Sequence, residues 1–185
     1  MRTSGHVATF PTASTATDPG VGLAGRAAVP ELFDLHADGL YRLALAMLRN
    51  PDLAQDVVQD TFVRLIAHVD GGGRLPNARG WLYTVAAHAC RDRQRRFGRW
   101  LPWFSAKDRR VGSESPDAHD GRAAVLHELR ALSHRDRLLI ALRAHGLSYQ
   151  EIADSAGVRQ TSVGRLLARA LDRLARRLER QQEKR

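Results

Sequence analysis

The sequence predicts an all-α protein: two small helical domains joined by a flexible linker, the C-terminal one containing a helix-turn-helix. Three observations support this. From Glu31 onward, apolar residues recur at spacings of three to five, the period of a helix face. No stretch shows convincing strand alternation, and there is no internal repeat. Gly- and Pro-rich segments break the pattern at 49–52, 71–76 and 100–120.

Residues 1–30, rich in Thr, Ala, Gly and Pro, read as a disordered tail. Residues 31–99 form the first expected domain. Its first helix carries Leu32, Leu35, Leu40, Leu43, Ala44, Met47 and Leu48 on an apolar stripe. "RNPD" (49–52) interrupts it, with Asp52 expected to cap a second helix over about 53–69. That helix turns Leu53, Val57, Val58, Phe62, Leu65, Ile66 and Val69 inward. After the "GGGRLP" loop, a third helix runs from near Asn77 to about Arg96, with Trp81, Leu82, Val85, Ala86 and Ala89 on its buried side. Residues 100–120 read as the linker, its aromatic start (Trp100, Trp103, Phe104) a cap on the preceding core. Helices resume at about 121–132, 135–145, 149–156 and 160–180, forming a second domain over 121–185.

The chain's 185 residues carry a net charge of +9, with a pI near 11.0, which favours a polyanionic partner. All the basic residues except Lys107 and Lys184 are arginine. The positive charge sits in two blocks, 78–110 and 159–185, whereas 31–77 is net acidic. Two basic surfaces suit a protein that grips a nucleic acid at two places; two solvated helix faces are the plain alternative. Cys90 is the only cysteine, which excludes an internal disulfide and a multi-cysteine zinc site. There is no long apolar run to span a membrane and no signal-peptide core. The expectation is a cytoplasmic protein without cofactor or metal.

"LSYQEIADSAGVRQTSVGRLLARAL" (147–171) has helix-turn-helix features. Ser148 with Glu151 is a capping-box pair, Gly157 sits at the turn, and Thr161 or Ser162 is placed to cap the next helix. Val163, Leu167, Leu171, Leu174 and Leu178 then form its stripe. The first residues of such a helix reach base edges, here Arg159, Gln160, Thr161, Ser162 and Arg165, with Arg169 further along. Arg and Gln make bidentate contacts to guanine and adenine. An antiparallel helical pair that only braces another domain has the same pattern.

"DVVQDTFVRL", "WLYTVA" and "GLSYQEIA", in this order and spacing, resemble a bacterial RNA polymerase sigma factor of the two-domain extracytoplasmic-function (ECF) class over about residues 31–180. The resemblance implies a protein that binds core RNA polymerase, directs it to promoter DNA and helps open it, with no catalysis of its own. It implies polymerase contacts at Asp56, Gln59 and Asp60, with Phe62 in the core. It implies upstream promoter (−10) contacts on the third helix and its preceding loop, where Arg79, Arg91, Arg93, Arg95 and Arg96 supply cations. It places the −35 contacts on Arg159, Gln160, Thr161, Ser162, Arg165 and Arg169. An anti-sigma factor is the implied regulator.

Several departures from the family pattern bear on base preference. "VAAH" stands where relatives read like "IARN", so His88 takes the place of a base-contacting Asn or is ordinary surface or core. "GGGRLP" replaces an "FRG"-like loop, and "TSVGRL" replaces "GTVKSR", putting Gly164 and Leu166 at basic positions. A different class of function, a stand-alone helix-turn-helix regulator binding duplex DNA without polymerase, is supported by the second domain alone. Cys90 with His88 two residues away is the sole enzyme-like pairing, and that spacing separates the side chains around a helix.

Overall fold

The computed structural model describes residues 26–97 and 120–183, all helix, turn and short connection. A 3-10 turn (Arg26–Ala28) leads into α1 (Val29–Leu48), α2 (Pro51–Asp70) and α3 (Ala78–Phe97). After the undescribed 98–119 come α4 (Asp120–Arg130), α5 (His134–Ala144), α6 (Tyr149–Ala156) and α7 (Gln160–Gln182). The expected linker with its aromatic start, and the tail before Arg26, lie outside the described residues.

Two caps differ from expectation. The side chain of Asn50, not Asp52, caps α2, accepting from Leu53 N at 2.9 Å. Pro51 is then the first residue of the helix, where its missing N–H removes no bond. At α7 the cap position falls on Arg159, with no side-chain cap bond, so Thr161 and Ser162 lie inside the first turn. The apolar stripes are also narrower than the residue types suggested. Leu35 is 70% exposed and Leu171 47% exposed, while Leu32, Leu40, Leu43, Met47, Val163, Leu167, Ala170 and Leu174 are buried.

α1, α2 and α3 pack on one another, and α7 packs on α4, α5 and α6. The two groups also meet, α3 against α6 and α1 against α5. One buried cluster runs from Leu40, Leu43 and Leu82 through Leu138, Leu139 and Leu142 to Ile152 and Val163. Phe62 is buried in it as the resemblance implied, and its ring lies 4.9 Å from that of Phe33. Cys90 is buried, and that burial pushes its thiol up to about 12, so it is an inert core residue, not a nucleophile. Among the described residues no helix is long and apolar enough to cross a membrane, and no group of three His, Cys, Asp or Glu could hold a metal.

Candidate nucleic-acid interface

The helix-turn-helix is built by local chemistry. The Ser148 hydroxyl accepts from Glu151 N at 3.3 Å, while the Glu151 carboxylate accepts from Ser148 N at 2.6 Å. This closed capping box starts α6 at a defined residue. Gly157 ends it in the left-handed region (φ 67°), which only glycine adopts at little cost. α7 then departs with Val163, Leu167, Ala170 and Leu174 inward. Arg159, Gln160, Thr161, Arg165 and Arg169 are left exposed and Ser162 half-buried. A methyl group at Gly164 would stand 3.4 Å from the Tyr149 ring, an ordinary van der Waals contact, so the packing of α6 on α7 does not require glycine there.

Further along α7 the arginines serve the fold. Arg173 donates to Asp136 (2.9 Å) and Arg177 to the buried Glu128 (2.6 Å), which also accepts from Gln181 (2.7 Å). Burial alone would raise the Glu128 carboxyl, but these donors and the nearby charges hold it below its ordinary value. The basic C-terminal half of α7 is therefore in part a brace onto α4 and α5.

On the first domain, Asp56, Gln59 and Asp60 lie exposed along α2. Asp60 accepts from Arg93 at 2.5 Å, joining an expected polymerase contact to an expected DNA contact. Arg95 and Arg96 are exposed at the end of α3, and His88 is half-buried. Burial, then Arg91 and Arg64, push the His88 imidazole toward its neutral form, against a smaller opposing pull from Asp92. Neutral imidazole both donates and accepts, as a base contact requires.

Two of the expected DNA arginines face the second domain. Arg79 donates to the His145 carbonyl at the end of α5, and Arg91 to the Ser155 carbonyl near the end of α6 (3.2 Å). Arg49 likewise reaches the Arg130 carbonyl, the last of α4, which also accepts from Arg137 at 2.8 Å. Asn77 donates to Glu151 (2.8 Å), and the hydroxyls of Thr84 and Ser155 meet at 2.9 Å. Sequence reasoning missed Asn77, Glu151 and His145 as junction residues. Asn77 before a helix start was a legible cap signal, but its partner was not.

The junction holds two histidines among cations. His145 Nδ1 lies 3.3 Å from the Tyr83 hydroxyl, and burial followed by Arg42 and Arg79 lowers its pKa. The ring nitrogens of His134 are buried with no hydrogen-bond partner, and burial followed by Arg137 and Arg91 lowers its pKa as well. A depressed histidine pKa favours the packed domains above the free value of about 6.5 and disfavours them as pH falls below it. Glu151, also held low despite its burial, adds a further loss at more acid pH. Acidification from pH 7.5 to 5.5 is therefore expected to separate the domains. Energy transfer between labels on α2 and α7 checks this, and a flat profile would contradict it.

Comparison with known proteins matches this architecture. The model of Sigma-70 region 2 covers residues 32–100, and that of Sigma-70 region 4 covers 122–174. The chain is 34% identical over 149 residues to the ECF RNA polymerase sigma factor SigE of Mycolicibacterium smegmatis, covering 75% of this chain and 58% of that protein. It is 32% identical to the RNA polymerase sigma factor CarQ of Myxococcus xanthus, over 71% of this chain and 78% of that one. It is 30% identical to the ECF sigma factor SigL of Mycobacterium tuberculosis, over 78% of this chain and 85% of that one. The fold also matches the sigma factor RpoE in complex with the anti-sigma factor NepR from Bartonella quintana. That match has a TM-score of 0.65 at 23% identity, covering 81% of this chain and 96% of that one. CnrH in complex with the cytosolic domain of CnrY gives 0.59 at 25% identity, covering 84% and 90%.

Fold and matches together define a two-domain sigma-type transcription protein, with region 2 over the first group of helices and region 4 over the second. The chain belongs to the ECF class of RNA polymerase sigma factors, which direct transcription initiation with RNA polymerase.

Proposed function

We propose that this chain is a cytoplasmic promoter-specificity subunit without catalysis of its own, in which three surfaces divide the work. Asp56, Gln59 and Asp60 on α2 dock core RNA polymerase. Arg79, His88, Arg91, Arg93, Arg95 and Arg96 on α3 hold the −10 element, where an unstacked base needs a polar pocket and its backbone needs cations. The N-terminal end of α7 reads the −35 element through Arg159, Gln160, Thr161, Ser162, Arg165 and Arg169. An anti-sigma factor masks these surfaces, a reading supported by the complexes in which RpoE and CnrH were solved.

The observation that carries the proposal is the exposed, polar N-terminal end of α7, held at a defined angle by the capping box and by Gly157. Run-off transcription with purified core polymerase tests it, since a chain that never forms a complex with core polymerase is not such a subunit. Arg165→Ala is expected to weaken −35 binding by about 1–3 kcal/mol if Arg165 reads a base. The loss should vanish on promoters already mutated in that element.

A further inference from the structure

We propose that the second domain carries a binding site for a polyphosphate, in the groove between the first turn of α5 and the later half of α7. The ligand is a chain of phosphates, as inorganic polyphosphate or as the phosphate chain of a nucleotide. Its binding engages Arg169 and so withdraws that residue from the −35 element. This last consequence rests on the function proposed above; the site itself does not.

The groove has a volume of about 840 Å³. The α4–α5 connection and the start of α5 form one wall, and α7 from Arg169 to Arg180 forms the other. Six arginines line it against two aspartates. Two of the six are committed to the fold, Arg173 to Asp136 and Arg177 to Glu128. Arg135, Arg169, Arg176 and Arg180 are exposed, and among the described residues none of them pairs with a carboxylate. Arg180 donates through Nε to the Arg176 carbonyl at 3.1 Å, which leaves its terminal nitrogens to a ligand.

The spacing makes the site a line. Residues 169, 173, 176 and 180 recur every three or four positions, so their side chains follow one face of α7 over about 16 Å, at about 1.5 Å per residue. Like charges at that spacing repel and weaken a helix. Asp172 stands on the same face but forms no ion pair among the described residues. Arg135 adds a cation from the opposite wall, so charge converges on the space between two helices, whereas a merely solvated face points its arginines apart.

An anion with several phosphates in a row matches this line, and a single phosphate reaches only neighbouring turns. Guanidinium groups present paired N–H donors in one plane, the geometry of two phosphate oxygens. Duplex DNA fits less well. A recognition helix meets the major groove with its first residues, and the line runs from Arg169 away from that end.

The test titrates the full chain with inorganic tripolyphosphate, ATP and inorganic phosphate, each without metal, by calorimetry. Tripolyphosphate should bind one to one, more tightly than phosphate, and raise the thermal midpoint. ATP binding at least as tightly as tripolyphosphate assigns the site to a nucleotide, and weaker ATP binding assigns it to inorganic polyphosphate. Arg176→Ala combined with Arg180→Ala should weaken binding about tenfold or more, from lost charge-assisted hydrogen bonds. The midpoint without ligand should hold, because neither side chain bonds to another element. Arg42→Ala combined with Arg64→Ala removes the same charge from exposed positions on α1 and α2 and should leave binding unchanged. An equal loss in that pair means attraction to net charge alone and overturns the site, as does full binding by the groove variant. On the polymerase complex, tripolyphosphate should compete with promoter DNA in the wild type and several-fold less in the groove variant. A groove variant that loses promoter affinity with no tripolyphosphate present makes the groove a DNA-backbone surface and overturns the proposal. A chain that takes tripolyphosphate at the groove but never binds core polymerase supports the site and overturns the function proposed above.

Discussion

Leu142→Ala is expected to destabilise the protein by about 2–5 kcal/mol, the range for emptying a fully packed leucine site. Leu142 is wholly buried on α5, in the cluster that α1, α3 and the helix-turn-helix share. Its loss leaves a cavity whose walls belong to a core spanning both domains, so neither domain can collapse onto it alone. Denaturation followed by circular dichroism should show one transition, displaced to lower denaturant. Leu35→Ala, at a 70% exposed position, provides the control and should stay within about 0.5 kcal/mol of wild type. Two separated transitions would mean that the shared cluster does not couple the domains.

Promoter affinity of the polymerase complex is expected to fall by about 10³–10⁵-fold between 50 and 200 mM salt. The proposed DNA surfaces offer eight arginines: Arg79, Arg91, Arg93, Arg95 and Arg96 on α3, and Arg159, Arg165 and Arg169 at the start of α7. Each phosphate neutralised releases condensed counterions, contributing about −0.9 to the slope of log K against log salt on duplex and about −0.7 on single strand. Arg95→Ala and Arg96→Ala should each flatten that slope by about one without altering base preference, because both residues are exposed at the end of α3. The measurement is binding at several salt concentrations. A slope that these substitutions leave unchanged would place the phosphate contacts elsewhere.

These expectations depend unequally on local and distant chemistry. Ser148, Glu151 and Gly157 were legible as a helix start and stop because each partner lies within a few residues, and the structure forms the capping box and left-handed turn they imply. Asn50 was overlooked as a cap for a local reason: Pro51 was read as a helix breaker, when at a first position it loses no hydrogen bond. Leu35 and Leu171 were misplaced because spacing alone defines a stripe wider than the face that finds a neighbour. The exposed residues at the start of α7 followed from the motif. By contrast, nothing in the residues around Arg79 or Arg91 marked them as partners of helix ends.

Periodicity and caps were enough to establish the helices of the described residues and the helix-turn-helix, and the resemblance carried by "DVVQDTFVRL", "WLYTVA" and "GLSYQEIA" pointed to the family. These rest on contacts between near neighbours, which a linear pattern records. The closed arrangement of the domains was decided in three dimensions. Its bonds join residues 62 to 81 positions apart, and the acceptors of Arg49, Arg79 and Arg91 are backbone carbonyls, which every residue carries. A carbonyl becomes a partner for arginine only when folding leaves it unpaired at the end of a helix and packing brings the cation to it.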